Sequence, residues 1–125
     1  DIIATDHAPH HADEKEIEFG LANNGIVGFE TAFAVSYSYL VKPGHLTLSD
    51  LINKMTAAPA RLFHRRLGSV AEGYPGDLTI LDLENAFVFD KNSIQGKAKN
   101  TPYDGFELFG KVVATIVEGN MAYVE

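Results

Sequence analysis

The chain of 125 residues sets ten Lys and Arg against seventeen Asp and Glu, for a net charge of −7 at pH 7, and 46% of it is hydrophobic. An acidic field of that size repels phosphate backbones and anionic membranes, which argues against nucleic-acid partners, while the apolar share suits a folded unit and not a disordered chain. With no cysteine, disulfides and thiolate metal sites are excluded and a cytoplasmic setting is expected; no apolar run reaches the roughly 18 to 20 residues of a membrane span.

The first element expected is a strand buried on both faces, the apolar run Ile2-Ile3-Ala4, as in a parallel sheet. At its carboxyl end stands Thr5-Asp6-His7-Ala8-Pro9-His10-His11, which crowds a carboxylate and several imidazoles where α/β enzymes build their sites. Asp6 lies five residues after the first, so most of any site built there is expected on polypeptide upstream.

Further along, Phe29, Ala32, Phe33, Val35, Ser36, Tyr39 and Leu40 recur at spacings of three and four, which predicts a helix from Phe29 to Leu40. Pro43-Gly44 ends it. Thr47 with Asp50 three positions on resembles a capping box that opens a helix through about Ala57, with Leu48, Leu51, Ile52 and Met55 inward. Pro59 suits the first turn of a short helix from Ala60 to His64. After Gly68 the pattern changes to alternation between turn signals. Strands are expected at Leu78 to Leu83, Ala86 to Phe89, and Val112 to Val117 paired with Met121 to Val124 through a tight turn at Gly119-Asn120. The second half therefore reads as a small antiparallel sheet or a fragment of a sandwich.

Asp6 can serve as a metal ligand that also takes a proton from an activated water, because a carboxylate is both a hard anionic donor and a base. On spacing alone, capping of the turn after the strand is the favoured reading of Asp6. His10 could contact a substrate carboxylate or a metal, or be simply solvated; His7 and His11 read as surface or supporting residues. Asn23-Asn24-Gly25 could present backbone groups to a ligand, or be an ordinary turn. Glu30 complements a helix N-terminus, and His64, Arg65 and Arg66 a helix C-terminus. Asp77 and Asp82 read as turn and edge polarity. An anionic small substrate would need local cationic help from metal, Arg or His against the acidic background.

Taken together, Ala4-Thr5-Asp6-His7-Ala8-Pro9-His10 followed by Lys15 resembles the second signature of dihydroorotases, in the cyclic-amide branch of the amidohydrolase superfamily. Gly25-Ile26-Val27-Gly28-Phe29-Glu30-Thr31-Ala32 is similar to the family's substrate loop and helix, Ala58 to Phe63 to its late helix, and Gly76 to Asp82 to its returning strand. Lys99-Asn100-Thr101-Pro102-Tyr103, then Gly110-Lys111-Val112 and Thr115 to Gly119, is similar to its C-terminal segment. Asn23-Asn24 departs from the Pro-Phe that many bacterial members place before the loop glycine.

The resemblance implies an α/β fold, the C-terminal portion of a (β/α)8 barrel followed by part of a small β-sandwich. Residues 1–67 would hold the last barrel strand, substrate loop and closing helices, and residues 68–125 the sandwich segment. It implies zinc-dependent, reversible interconversion of dihydroorotate and N-carbamoyl-L-aspartate in pyrimidine synthesis. Asp6 would be metal ligand and acid/base, His10 the contact to the substrate carboxylate, and Asn24 and Gly25 backbone contacts to the ring. Zinc would be binuclear, with its other ligands upstream and this chain alone inactive. Other readings are a hydantoinase or allantoinase, or a non-catalytic dihydroorotase-like subunit supporting aspartate transcarbamoylase. The Ala-Pro-His run favours a carboxylated substrate. Apolar side chains such as Ile2, Ile3 and Phe33, left without the neighbours a whole barrel would supply, predict association of chains or local disorder, and a homo-oligomer is expected.

Overall fold

In the computed structural model, which describes residues 1–125, helices occupy the first half of the chain and antiparallel strands the second, as the change of pattern at Gly68 predicts. The expected strand at Ile2-Ile3-Ala4 does not form. No other strand of the chain lies beside it to complete a ladder; Ile3 N–H instead donates to the Lys54 carbonyl at 3.1 Å, and Ile2 is 37% exposed.

Helix α1 (Ala12–Lys15) is one turn with no buried residue, so hydrophobic periodicity gives no sign of it. Its cap is reciprocal: His11 Nδ1 accepts the Asp13 N–H and the Glu14 carboxylate accepts the His11 N–H. Helix α2 (Ala32–Ser36) starts later than the expected Phe29 and passes into a π-helical turn, Tyr37–Val41. Phe29 is absent from its core face because the ring stacks on His7. The widened turn carries Ser38, whose hydroxyl accepts the Phe109 N–H at 2.8 Å and joins the helix to the second half of the chain.

Helix α3 (Leu48–Met55) opens where the sequence places it, with the Thr47 hydroxyl accepting the Asp50 N–H at 3.1 Å. Leu51 is fully buried and Met55 partly so, while Leu48 and Ile52 sit at the margin of the apolar face. Helix α4 (Ala57–Leu62) begins ahead of the expected Ala60, with Pro59 in its first turn, where the missing N–H has no intrahelical partner to lose.

Strands β1 (Leu78–Asp82), β4 (Lys111–Val117) and β5 (Asn120–Val124) form one antiparallel sheet in the order β1-β4-β5. Strands β2 (Phe87–Val88) and β3 (Glu107–Leu108) form a second. Val117 faces Asn120, so the central residues of the hairpin turn are Glu118 and Gly119, with φ of 49° and 78°, and not Gly119-Asn120. A type I′ turn wants its glycine second, which shifts the turn by one residue. The sequence reading omits β3, a two-residue strand too short to alternate.

The core is Val27, Ala34, Phe89, Ile94 and Leu108, with Val35, Phe87, Ala98 and Tyr103 packed against it. It welds the segment after Gly25 to the β2–β3 region and so seats residues near 100 beneath the loop at residues 23–27. No helix is long and apolar enough to cross a membrane.

Candidate functional site

Asp6 adopts φ of 46°, the left-handed region that Asp tolerates better than most side chains. The turn this makes lifts the carboxylate out of the chain's path; it is exposed and no ion pair within the chain engages it. The next residue points the other way. His7 Nδ1 accepts the Gly28 N–H at 3.0 Å and the Phe29 N–H at 3.4 Å, and its ring lies 3.8 Å from the Phe29 ring at an interplanar angle of 7°. Those bonds require a bare Nδ1, so the tautomer they assign carries its hydrogen on Nε2.

Two further strands of backbone meet at His10. Its N–H donates to Asn100 Oδ1 at 3.1 Å, and its Nδ1 lies 3.4 Å from the Glu14 carboxylate. The His11 N–H holds the Glu14 carboxyl below its ordinary value, with His10 adding a smaller pull the same way. Ala8 N–H donates to the Ile26 carbonyl at 2.9 Å, which draws the loop against the Asp6–His10 segment. Gly25 sits so close that a Cβ there would stand 2.5 Å from Ala8 Cβ and 4.0 Å from His10 Nε2, with φ of +97°. Only glycine fits both the space and the conformation.

Lys15 Nζ donates to the Asn23 carbonyl at 2.6 Å and to the Gly25 carbonyl at 3.1 Å. In a trans peptide the N–H points opposite to the C=O, so fixing Asn23 O aims the Asn24 N–H outward. Neither the Asn24 nor the Gly25 N–H donates to another backbone group of the chain. The loop thus offers two unspent donors beside an imidazole, the Asn24 N–H oriented through Lys15, which suits an anionic or carbonyl-bearing ligand.

Of the residues singled out from sequence, His10 and Gly25 are brought together, with Asn24 beside them; Asp6 joins them through the backbone and through His7, not by a side-chain bond. Glu30 precedes α2 instead of lying in its first turn, and its carboxylate accepts the Gln95 N–H at 2.9 and 3.1 Å. It closes one side of a pocket of about 180 Å³ that His7, Phe29 and Gly96 also line. Asp77 precedes β1 and accepts the Glu118 N–H, and Asp82 ends that strand and caps the turn after it, accepting the Glu84 and Asn85 N–H groups. Sequence reasoning gave no role to Asn100, and noted Lys15 only within a motif. Hydrogen bonds across 90 residues leave no spacing signal.

A metal site does not assemble from this chain: no three His, Asp or Glu side chains converge to hold an ion. The Asp6 carboxylate is exposed and engaged by no ion pair.

The chain belongs to the amidohydrolase family, whose model matches residues 1–122. Within it, the chain is similar to dihydroorotases. It is 54% identical to that of Acetivibrio thermocellus and 46% identical to that of Bacillus subtilis, in each case over the whole chain and 29% of the relative. Among solved structures it superposes on a D-hydantoinase from a Thermus species with a TM-score of 0.88 at 26% identity, covering 99% of this chain and 28% of that one. A D-hydantoinase from Bacillus sp. AR9 gives the same TM-score at 23% identity, over 98% of this chain and 28% of that one, and shares the fold. The chain spans about 29% of the length of the curated relatives it matches.

Proposed function

We propose that this chain is the portion of a dihydroorotase that carries the proton-transfer carboxylate and the substrate loop. The reaction is the reversible hydrolysis of dihydroorotate to N-carbamoyl-L-aspartate, in pyrimidine synthesis. The observation that carries the reading is the juxtaposition of His10 with the unspent N–H groups of Asn24 and Gly25, on a segment that leaves Asp6 free. His10 would meet the substrate carboxylate and the two N–H groups the ring. Asp6 would take a proton from the attacking water as the new C–O bond forms, and return it to the ring nitrogen as the C–N bond breaks. Zinc, the cofactor expected from the resemblance, has no complete ligand set among these residues; Asp6 is the ligand this chain would contribute.

On the same reading, in the complete enzyme, where neighbouring strands would complete the ladder this chain lacks, residues 1–67 supply the last strand and closing helices of a (β/α)8 barrel, and residues 68–125 a share of a β-sandwich. The isolated chain is then inactive, and the complete enzyme is a cytoplasmic homo-oligomer, with association to aspartate transcarbamoylase open to it. A hydantoinase reading predicts instead that a neutral hydantoin is turned over better than dihydroorotate. The test is steady-state hydrolysis of both compounds by the complete enzyme and by its Asp6→Asn and Asp6→Ala variants. Expected are a preference for dihydroorotate and loss of turnover, by at least about a hundredfold, in both variants; full activity in Asp6→Ala refutes the assignment.

A further inference from the structure

We propose that Asn100 is a positioning residue for substrate binding: one side chain from the C-terminal half of the chain sets the distance between His10 and Gly25. The proposal rests on the functional reading above. Asn100 Oδ1 accepts the His10 N–H at 3.1 Å, while Nδ2 donates to the Ala8 carbonyl at 2.9 Å and to the Gly25 carbonyl at 3.3 Å. Its own carbonyl accepts the Val27 N–H at 3.0 Å. A primary amide is the side chain that offers an acceptor and two donors in one plane. Every group it touches flanks a candidate substrate contact, and none touches Asp6.

The geometry divides the labour around Gly25. Its carbonyl takes one bond from Lys15 and one from Asn100, which occupies both lone pairs and fixes the peptide that follows. Lys15 reaches it from α1 within the same segment, whereas Asn100 reaches it from 75 residues away and is rooted beside the core residue Ile94 and its neighbour Ala98. Removal of Asn100 therefore lets the loop move relative to His10 while leaving Lys15 attached. That displaces the groups that bind substrate and spares the carboxylate that moves the proton.

The expected signature is a split between binding and turnover. In the complete enzyme, Asn100→Ala raises KM for dihydroorotate about tenfold, the effect of one substrate hydrogen bond misaligned, with kcat changed less than about threefold. Asn100→Asp keeps the acceptor for His10 N–H but sets a carboxylate against two carbonyls, so its KM rises at least as much. Without substrate, amide exchange of the peptides covering residues 7–10 and 26–28 is faster in both variants. Leu51→Ala, a change at a fully buried residue of α3 outside the core cluster that seats the loop, serves as the comparison for simple loss of stability, with KM unmoved. Unchanged KM in both Asn100 variants overturns the proposal, as does a KM shift of equal size in Leu51→Ala. Should the unaltered enzyme not hydrolyse dihydroorotate, the functional reading fails, and the exchange measurement still decides whether Asn100 holds the loop.

Discussion

Replacing Gly25 by alanine perturbs one atom, and the structure sets the size of the response. At φ of +97° an alanine lies beyond the left-handed basin, a strain on the order of 1 to 2 kcal/mol. Its Cβ would also stand 2.5 Å from Ala8 Cβ, against roughly 3.5 to 4.0 Å for a relaxed carbon contact, so the loop must retreat by about 1 Å. On the function proposed above this loop positions substrate, and a displacement of that size then costs about a hundredfold in rate. Two further variants separate the contributions. Gly44→Ala places the same side chain at φ of +85° with no atom within 4 Å, so it shares the strain without the collision and leaves kcat/KM unchanged. Ala8→Gly added to Gly25→Ala removes the atom at 2.5 Å and leaves nothing nearer than 3.9 Å, so it restores at least about tenfold of the lost kcat/KM. The assay is kcat/KM for dihydroorotate in the complete enzyme, beside a thermal midpoint for each variant. A double variant no faster than Gly25→Ala, or a Gly25→Ala enzyme within threefold of the parent, refutes the reasoning.

Two other outcomes follow from local geometry. Glu118→Asn places a residue suited to positive φ at the first centre of the I′ turn and raises the thermal midpoint, by roughly 0.5 kcal/mol of stability; a lower midpoint would show that the Glu118 side chain matters more than its φ of 49°. The second concerns acid. The Thr47 hydroxyl holds the Asp50 carboxyl below its ordinary value of 3.8, so the stabilisation is present above that value and is lost as pH falls through the lower folded one. Thr47→Ala removes the hydroxyl, and its deficit in thermal midpoint is therefore larger at pH 7 than at pH 3. A deficit independent of pH would count against the linkage.

Much of this was readable from residues in a row, because the forces involved are local. Thr47 and Asp50 announce their helix by a cap, and the segments Leu78 to Leu83 and Val112 to Val117 announce strands by alternation. Ile2-Ile3-Ala4 misled for a non-local reason: an apolar run is a strand only where neighbours complete its ladder, and this chain supplies none. Phe29 belongs to a helix by periodicity, yet an imidazole more than twenty residues away claims its ring. The candidate site divides along the same line. Asp6, His10 and Gly25 are conspicuous as residue types in a motif, while Asn100 has no chemical peculiarity and earns its place through contacts that only folding creates.

The span between His10 and its amide partner has a consequence for biosynthesis. A ribosome passes the His10 codon 90 residues before it reaches Asn100, an interval of roughly 5 to 20 seconds at ordinary rates of translation. Throughout it the groups that the Asn100 side chain later engages, the His10 N–H and the Ala8 carbonyl among them, must be satisfied by solvent, and a nascent polypeptide halted near residue 95 would hold this loop from one side only, through Lys15 and Ala8. The loop's second anchor thus arrives late in synthesis, with the same stretch of polypeptide that supplies Ile94 and Leu108 to the interior.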